Sequence, residues 1–170
     1  AMSLVFAHRG ASGHAPENTL EAFRLAMEMG ADGFELDVHV TKDGELVVIH
    51  DEAVNRTTNG KGLVKDMTLA ELKELDACKG MEAYRGAKIP TLAEVYELVK
   101  DTNHIVNVEI KSDNYFYPEI EEKCLALAKE MGMEDRVIYS SFNHYTLLKL
   151  HELKPDAKLG MLFGDVLYQP

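Results

Sequence analysis

Short apolar runs ending in polar turn residues alternate along this chain with stretches of three-to-four helical spacing. Leu4-Val5-Phe6-Ala7 reads as a buried strand that stops at His8-Arg9-Gly10. Asn18, with Glu21 three residues later, predicts a capped helix carrying Leu20, Phe23 and Met27 on one face and stopped by Gly30. Gly33 to Val40 and 45–50 read as strands around Asp43-Gly44, a hairpin signal. With Asp43 and Gly44 as the two turn residues, Lys42 pairs with Glu45, and Asp37 with His50.

Residues 52–90 interrupt this rhythm. A polar, turn-rich stretch over 55–62 precedes a capping box, Thr68 with Glu71, and a short amphipathic helix carrying Leu69, Leu72 and Leu75. The segment reads as a small insertion, a candidate lid. Regularity then returns. Thr91 and Glu94 cap a helix with Leu92, Val95, Leu98 and Val99 on its face. Ile105 to Ile110 reads as a strand, Pro118 as the first turn of a helix ending at Gly132, and 137–140 as a strand. Asn143 caps a helix through Leu153, and 158–163 is the last strand. Strands alternating with helices predict one α/β domain over residues 1–170, with a mostly parallel sheet.

Composition narrows the partners. The chain has 170 residues and a net charge of −11, which disfavours broad attraction to nucleic acid. A phosphate would need placed cations or a metal. The longest apolar runs are too short to span a bilayer, so no stable membrane insertion is expected. No signal-peptide pattern opens the chain, and a cytoplasmic protein is the simplest reading. Cys78 and Cys124 lack metal-site spacing and read as reduced thiols.

The polar residues at the strand ends suggest chemistry. The first strand ends in His8-Arg9, the second carries Glu35 and Asp37, the return strand ends in His50-Asp51, and the strand at 105 carries Glu109 and Lys111. Alternate residues of a strand share a face, so Glu35 pairs with Asp37 and Glu109 with Lys111. Each pair alone is as well explained by a solvated surface; their coincidence at strand ends is what points to a site. Glu35, Asp37 and Glu109 facing one cavity would repel one another, and a hard divalent cation, Mg2+ or Ca2+, would relieve that. Arg9 offers a fork for phosphate oxygens, and Lys111 a point charge. His8 and His50 carry imidazoles, which can pass protons to and from a phosphodiester. His39, His104, His144 and His151 read as surface or packing residues.

The blocks His8-Arg9-Gly10-Ala11-Ser12, Ala15-Pro16-Glu17-Asn18-Thr19, Glu35-Leu36-Asp37-Val38, Thr41-Lys42-Asp43-Gly44, His50-Asp51, Glu109-Ile110-Lys111 and Ser140-Ser141-Phe142-Asn143 resemble, in order, those of the glycerophosphodiester phosphodiesterases. The resemblance implies a TIM-type (β/α) barrel of the phosphatidylinositol-phospholipase C kind, with 52–90 as the family's insertion. It implies metal-dependent hydrolysis of a glycerophosphodiester to an alcohol and glycerol 3-phosphate. His8 and His50 would then be the acid–base pair, Glu35, Asp37 and Glu109 the metal ligands, and Arg9 and Lys111 the phosphate holders. Which histidine is acid, and whether water or a substrate hydroxyl attacks first, stay open.

A barrel of this kind runs to about 250 residues. The chain is therefore expected to hold about six strands of an incomplete barrel, with a C-terminal segment or a second copy completing it. A lysophospholipase D acting on lipid would share these residues and differ in pocket lining. A non-catalytic barrel fragment with a binding or assembly role is the alternative from another class.

Overall fold

A computed structural model describes residues 4–162. Its elements run β1 (Phe6–His8), α1 (Leu20–Glu28), β2 (Gly33–Val40), β3 (Leu46–Val48), α2 (Leu69–Lys73), α3 (Leu92–Val99), β4 (Ile105–Ile110), α4 (Ile120–Glu130), β5 (Val137–Ser141), α5 (His144–Leu153) and β6 (Lys158–Met161). Phe163, expected at the end of the last strand, lies outside the described residues. The strands form one six-stranded sheet in the order β1-β2-β4-β5-β6, with β3 antiparallel on β2. The five path strands are parallel and follow chain order without reversal. That winding is the one that rolls a sheet into a (β/α) barrel; a doubly wound sheet reverses its strand order. No helix among the described residues is long and apolar enough to cross a membrane.

Alternation along the strands separates packing from chemistry. Val106, Val108 and Ile110 of β4, with Phe34, Leu36 and Val38 of β2, enter a buried cluster with Phe23, Val95, Tyr96 and Ile120 from the helices. Asn107 and Glu109 alternate with them and are only partly buried. Gly33 permits the β2–β4 approach, since a Cβ there would stand 2.1 Å from the Ile105 carbonyl oxygen.

Two local expectations change. Asn18 does not cap α1. Thr19 does, its hydroxyl accepting from the Ala22 amide, while Asn18 adopts a left-handed φ of 58° and turns its side chain elsewhere. The hairpin register is also shifted by one residue: Val38 opposes Val48 and Val40 opposes Leu46. Asp37 therefore stands opposite Ile49, whose amide donates to the Asp37 carbonyl at 3.0 Å, and not opposite His50. The cause is the Thr41 side chain, which accepts from the Glu45 amide and donates to Asp43. Thr41 and Glu45 thereby close a three-residue loop in which Gly44 takes the left-handed position at φ 86°.

Residues 52–90 have a core of their own. Val54, Val64, Leu72, Ala77 and Ile89 are buried against Val47 and Ile49 of the return strand. The capping boxes at Thr68 and Thr91 form as expected. Replacing the fully buried Leu72 with Ala should destabilise this cluster by about 2–5 kcal/mol. Hydrogen exchange should accelerate at the amides of 52–90 while those of Val106 and Val108 stay protected. Uniform acceleration would show that the two clusters unfold as one unit.

Candidate active site

The parallel register builds the site. His8 stands beside Glu35 and Glu35 beside Asn107; two residues further along, Asp37 stands beside Glu109 and Glu109 beside Ser140. His8, Arg9, Glu35, Asp37 and Glu109 line one cavity of about 110 Å3 with Asn107 and Ser140. Lys111 joins them by charge, its Nζ 2.6 Å from Glu109 Oε2 and 3.8 Å from Asp37 Oδ1. Burial and the charge of Asp37 push the Glu109 carboxyl above its ordinary range, against the pull of Lys111. Burial works against the Lys111 ammonium, but Glu109 and Asp37 outweigh it and raise its pKa.

Backbone strain gathers at the same place. Arg9 has φ 54° and Asn18 φ 58°, conformations that L residues other than glycine seldom hold. They are tied together, the Asn18 amide donating to the Arg9 carbonyl at 2.9 Å. The turn brings Asn18 Nδ2 to 3.0 Å from Asp37 Oδ2 and leaves Arg9 Nε 3.8 Å from the same oxygen. Gly10 follows with φ 75°; a Cβ there would meet the Ala22 backbone at 2.8 Å.

His50 sits outside the cavity lining, beside Glu17 and Asn18 in a small neighbouring cleft. Its Nδ1 lies 2.7 Å from Asp51 Oδ1. Arg56 donates twice to Asp51 and holds that carboxyl well below the usual carboxylate range, aided by His50 and opposed by burial. Arg56 also donates twice to Glu17, which accepts from Arg9 and Lys79 as well.

His39 is fully buried and not a surface residue. One ring nitrogen meets the Tyr117 hydroxyl at 2.8 Å and the other the His50 carbonyl at 3.0 Å. The carbonyl only accepts, so Nε2 carries the proton and Nδ1 accepts from Tyr117. Burial lowers the His39 pKa and favours this neutral form. The period-2 rule that pairs Glu35 with Asp37 continues to residue 39 and was the available signal. Arg56 had none, because its partners are distant in sequence; Glu17 stood in a family-like block, but nothing local attached a role to it.

Among the described residues no three His, Cys, Asp or Glu side chains stand close enough together to enclose a metal ion. The donor chemistry nevertheless suits a hard cation: Glu35, Asp37 and Glu109 share a cavity, and burial with the charge of Asp37 disfavours ionisation of Glu109 there, a conflict a cation would relieve.

Fold and site together define a partial (β/α) barrel with carboxylates, cations and a histidine gathered at the C-terminal ends of its strands. The chain belongs to the glycerophosphoryl diester phosphodiesterase family, whose profile matches residues 8–170. It is 56% identical over 169 residues to a glycerophosphodiester phosphodiesterase of Caldanaerobacter subterraneus subsp. tengcongensis, covering 99% of this chain and 70% of that protein. It is 51% identical over 171 residues to one of Bacillus altitudinis, again covering 99% of this chain and 70% of the relative. Among solved structures, the glycerophosphodiester phosphodiesterase of Agrobacterium tumefaciens str. C58 superposes with a TM-score of 0.85 at 37% identity, over 93% of this chain and 66% of that one. An Oleispira antarctica phosphodiesterase solved with the product sn-glycerol-3-phosphate gives a TM-score of 0.79 at 38% identity, over 94% of this chain and 66% of that one. The chain thus spans 70% of these curated relatives and slightly under two thirds of these solved structures.

Glu17 supplies a pH test. Burial opposes its charge, but the hydrogen bonds from Arg56 and Lys79 and the charges of Arg9 and Arg56 prevail and hold its pKa near 2, against an ordinary 4.5. A depressed carboxylate stabilises the fold above its ordinary pKa, and that contribution disappears as pH falls through the folded value. Glu17→Gln should therefore lower stability at pH 7 by on the order of 3 kcal/mol. The gap from wild type, read by urea unfolding, should narrow between pH 4.5 and 2. A gap independent of pH would place the effect in packing and not in charge.

Proposed function

We propose that this site hydrolyses glycerophosphodiesters to an alcohol and sn-glycerol 3-phosphate. The observation that carries the reading is the single cavity shared by His8, Arg9, Glu35, Asp37 and Glu109, with Lys111 paired to the last two. Family membership and the product named for the Oleispira antarctica relative support the same chemistry.

Glu35, Asp37 and Glu109 hold a divalent cation, Mg2+ or Ca2+, which when bound supplies positive charge to the phosphodiester oxygens. Arg9 presents its guanidinium to those oxygens, and Lys111 adds a point charge at the other side of Asp37. His8, exposed at the rim, and His50, held through Asp51, exchange the two protons that hydrolysis requires: one leaves the attacking hydroxyl and one reaches the departing alcohol oxygen. The segment 52–90 belongs to the same domain and contributes Arg56 and Lys79 to the charge network around Glu17.

A lipid substrate would call for an apolar groove opening on the carboxylates. The cavity that holds them is lined mainly by charged and polar side chains. The apolar groove that touches His8 instead follows β1, among Val5, Ala7, Ala11 and Met29. A small, polar diester is therefore the better fit.

Glycerophosphocholine incubated with the chain should yield sn-glycerol 3-phosphate with Mg2+ or Ca2+ and none with chelator; release that survives the chelator would overturn the metal assignment. His8→Ala and His50→Ala should each reduce turnover by about 10²–10⁴-fold, and full turnover in both would remove them from the mechanism. Glu35→Ala should weaken metal binding measured by calorimetry while leaving the circular dichroism spectrum unchanged.

A further inference from the structure

We propose that Arg56 is a positioning residue for this reaction: through Asp51 it fixes the His50 ring, and through Glu17 it fixes that ring's place relative to Arg9. The inference rests on the reading of His50 and Arg9 given above. It concerns a residue in the turn-rich stretch before α2, far along the chain from β1.

The geometry uses most of the guanidinium. Nε donates to Asp51 Oδ2 at 2.9 Å and Nη2 to Asp51 Oδ1 at 3.0 Å. Nη1 donates to Glu17 Oε1 at 2.7 Å and Nη2 to Glu17 Oε2 at 2.9 Å. One planar group therefore grips two carboxylates on both oxygens each. A lysine has the charge but not the fork, so it could not hold both at once.

Each carboxylate passes the constraint onward. Asp51 cannot rotate while both oxygens are held, and its Oδ1 also meets His50 Nδ1 at 2.7 Å. An ionised carboxylate only accepts, so the neutral His50 ring must carry its proton on Nδ1. That leaves Nε2 unprotonated and available for the proton exchanged with the substrate. On the other side, Glu17 Oε2 accepts from Arg9 Nη1 at 3.1 Å. A continuous path runs from His50 through Asp51, Arg56 and Glu17 to Arg9, and Arg9 lies against Asp37.

Part of what Arg56 does is structural, since it helps hold the buried Glu17 ionised. Its pair with Asp51 is different: both side chains are substantially exposed, at 40% and 31%, and such pairs contribute little to stability. The turns of 52–62 are closed by other groups: Val54 donates to the Gly62 carbonyl, the Thr58 hydroxyl donates to the Val54 carbonyl, and Gly62 donates to Asn55.

The test compares wild type, Arg56→Ala, Arg56→Lys and His50→Ala with Mg2+ present, measuring kcat on glycerophosphocholine and the ring nitrogens of His50 by 15N NMR. The expected result is a fall in kcat of about 10–100-fold in both Arg56 variants, with wild-type His50 protonated on Nδ1 and the variants showing a mixture of tautomers. Millimolar methylguanidinium should restore part of the loss in Arg56→Ala and none in His50→Ala. Wild-type kcat in Arg56→Ala, or a His50 ring spectrum unchanged by the substitution, would overturn the proposal. Full turnover in His50→Ala would instead refute the acid–base reading on which it rests. The ring spectrum decides whether Arg56 fixes His50 in either case.

Discussion

The parallel pairing of β2 with β4 places Asp37 directly beside Glu109 on the face away from the helix core. Two neighbouring carboxylates in a half-buried cavity repel each other and lose hydration, and the groups around them follow from that conflict. Lys111 comes from two residues beyond Glu109 on the same strand face and stands between the two acids. Asn18 turns out of its expected capping role to donate to Asp37. Arg9 accepts a left-handed backbone to lie against the same side chain. The phosphate-holding cations and the metal-holding acids of the proposed site are thus one electrostatic arrangement.

That arrangement extends into residues 52–90. Arg56 and Lys79 both reach Glu17, which is buried beneath Arg9. The segment is also packed on the return strand through Val47 and Ile49. Lys73 adds a tie to α3 by bonding the Ile89 carbonyl and Glu94. Hydrophobic packing sets where the segment lies, and the ion pairs determine which of its side chains face the site.

Much of this was legible in the sequence because it depends on short-range rules. The apolar alternation in β4, the capping boxes at Thr68 and Thr91, the Asn143 cap and the stops at Gly30 and Gly132 each need only neighbouring residues. The strand-end placement of His8, Glu35, Asp37, Glu109 and Lys111 follows from the same periodicity. What was misread depended on side chains overriding backbone habit. Asp-Gly at 43–44 suggested a two-residue turn, but the Thr41 hydroxyl enlarges it to three residues and shifts the register. Asn18 looked like a cap because its type favours caps, whereas its amide is used on Asp37. The ties from Glu17 to Arg56 and from His39 to Tyr117 span 39 and 78 residues, and no local pattern encodes them.

The left-handed backbones of Arg9 and Asn18 have a consequence for how this chain would respond to substitution. Glycine adopts such angles without strain, but it would also delete the Asn18 amide that donates to buried Asp37 and the Arg9 charge that helps hold Glu17 ionised. Backbone strain and side-chain pairing therefore pull in opposite directions at these two positions, and arginine and asparagine mark where the pairing outweighs the strain.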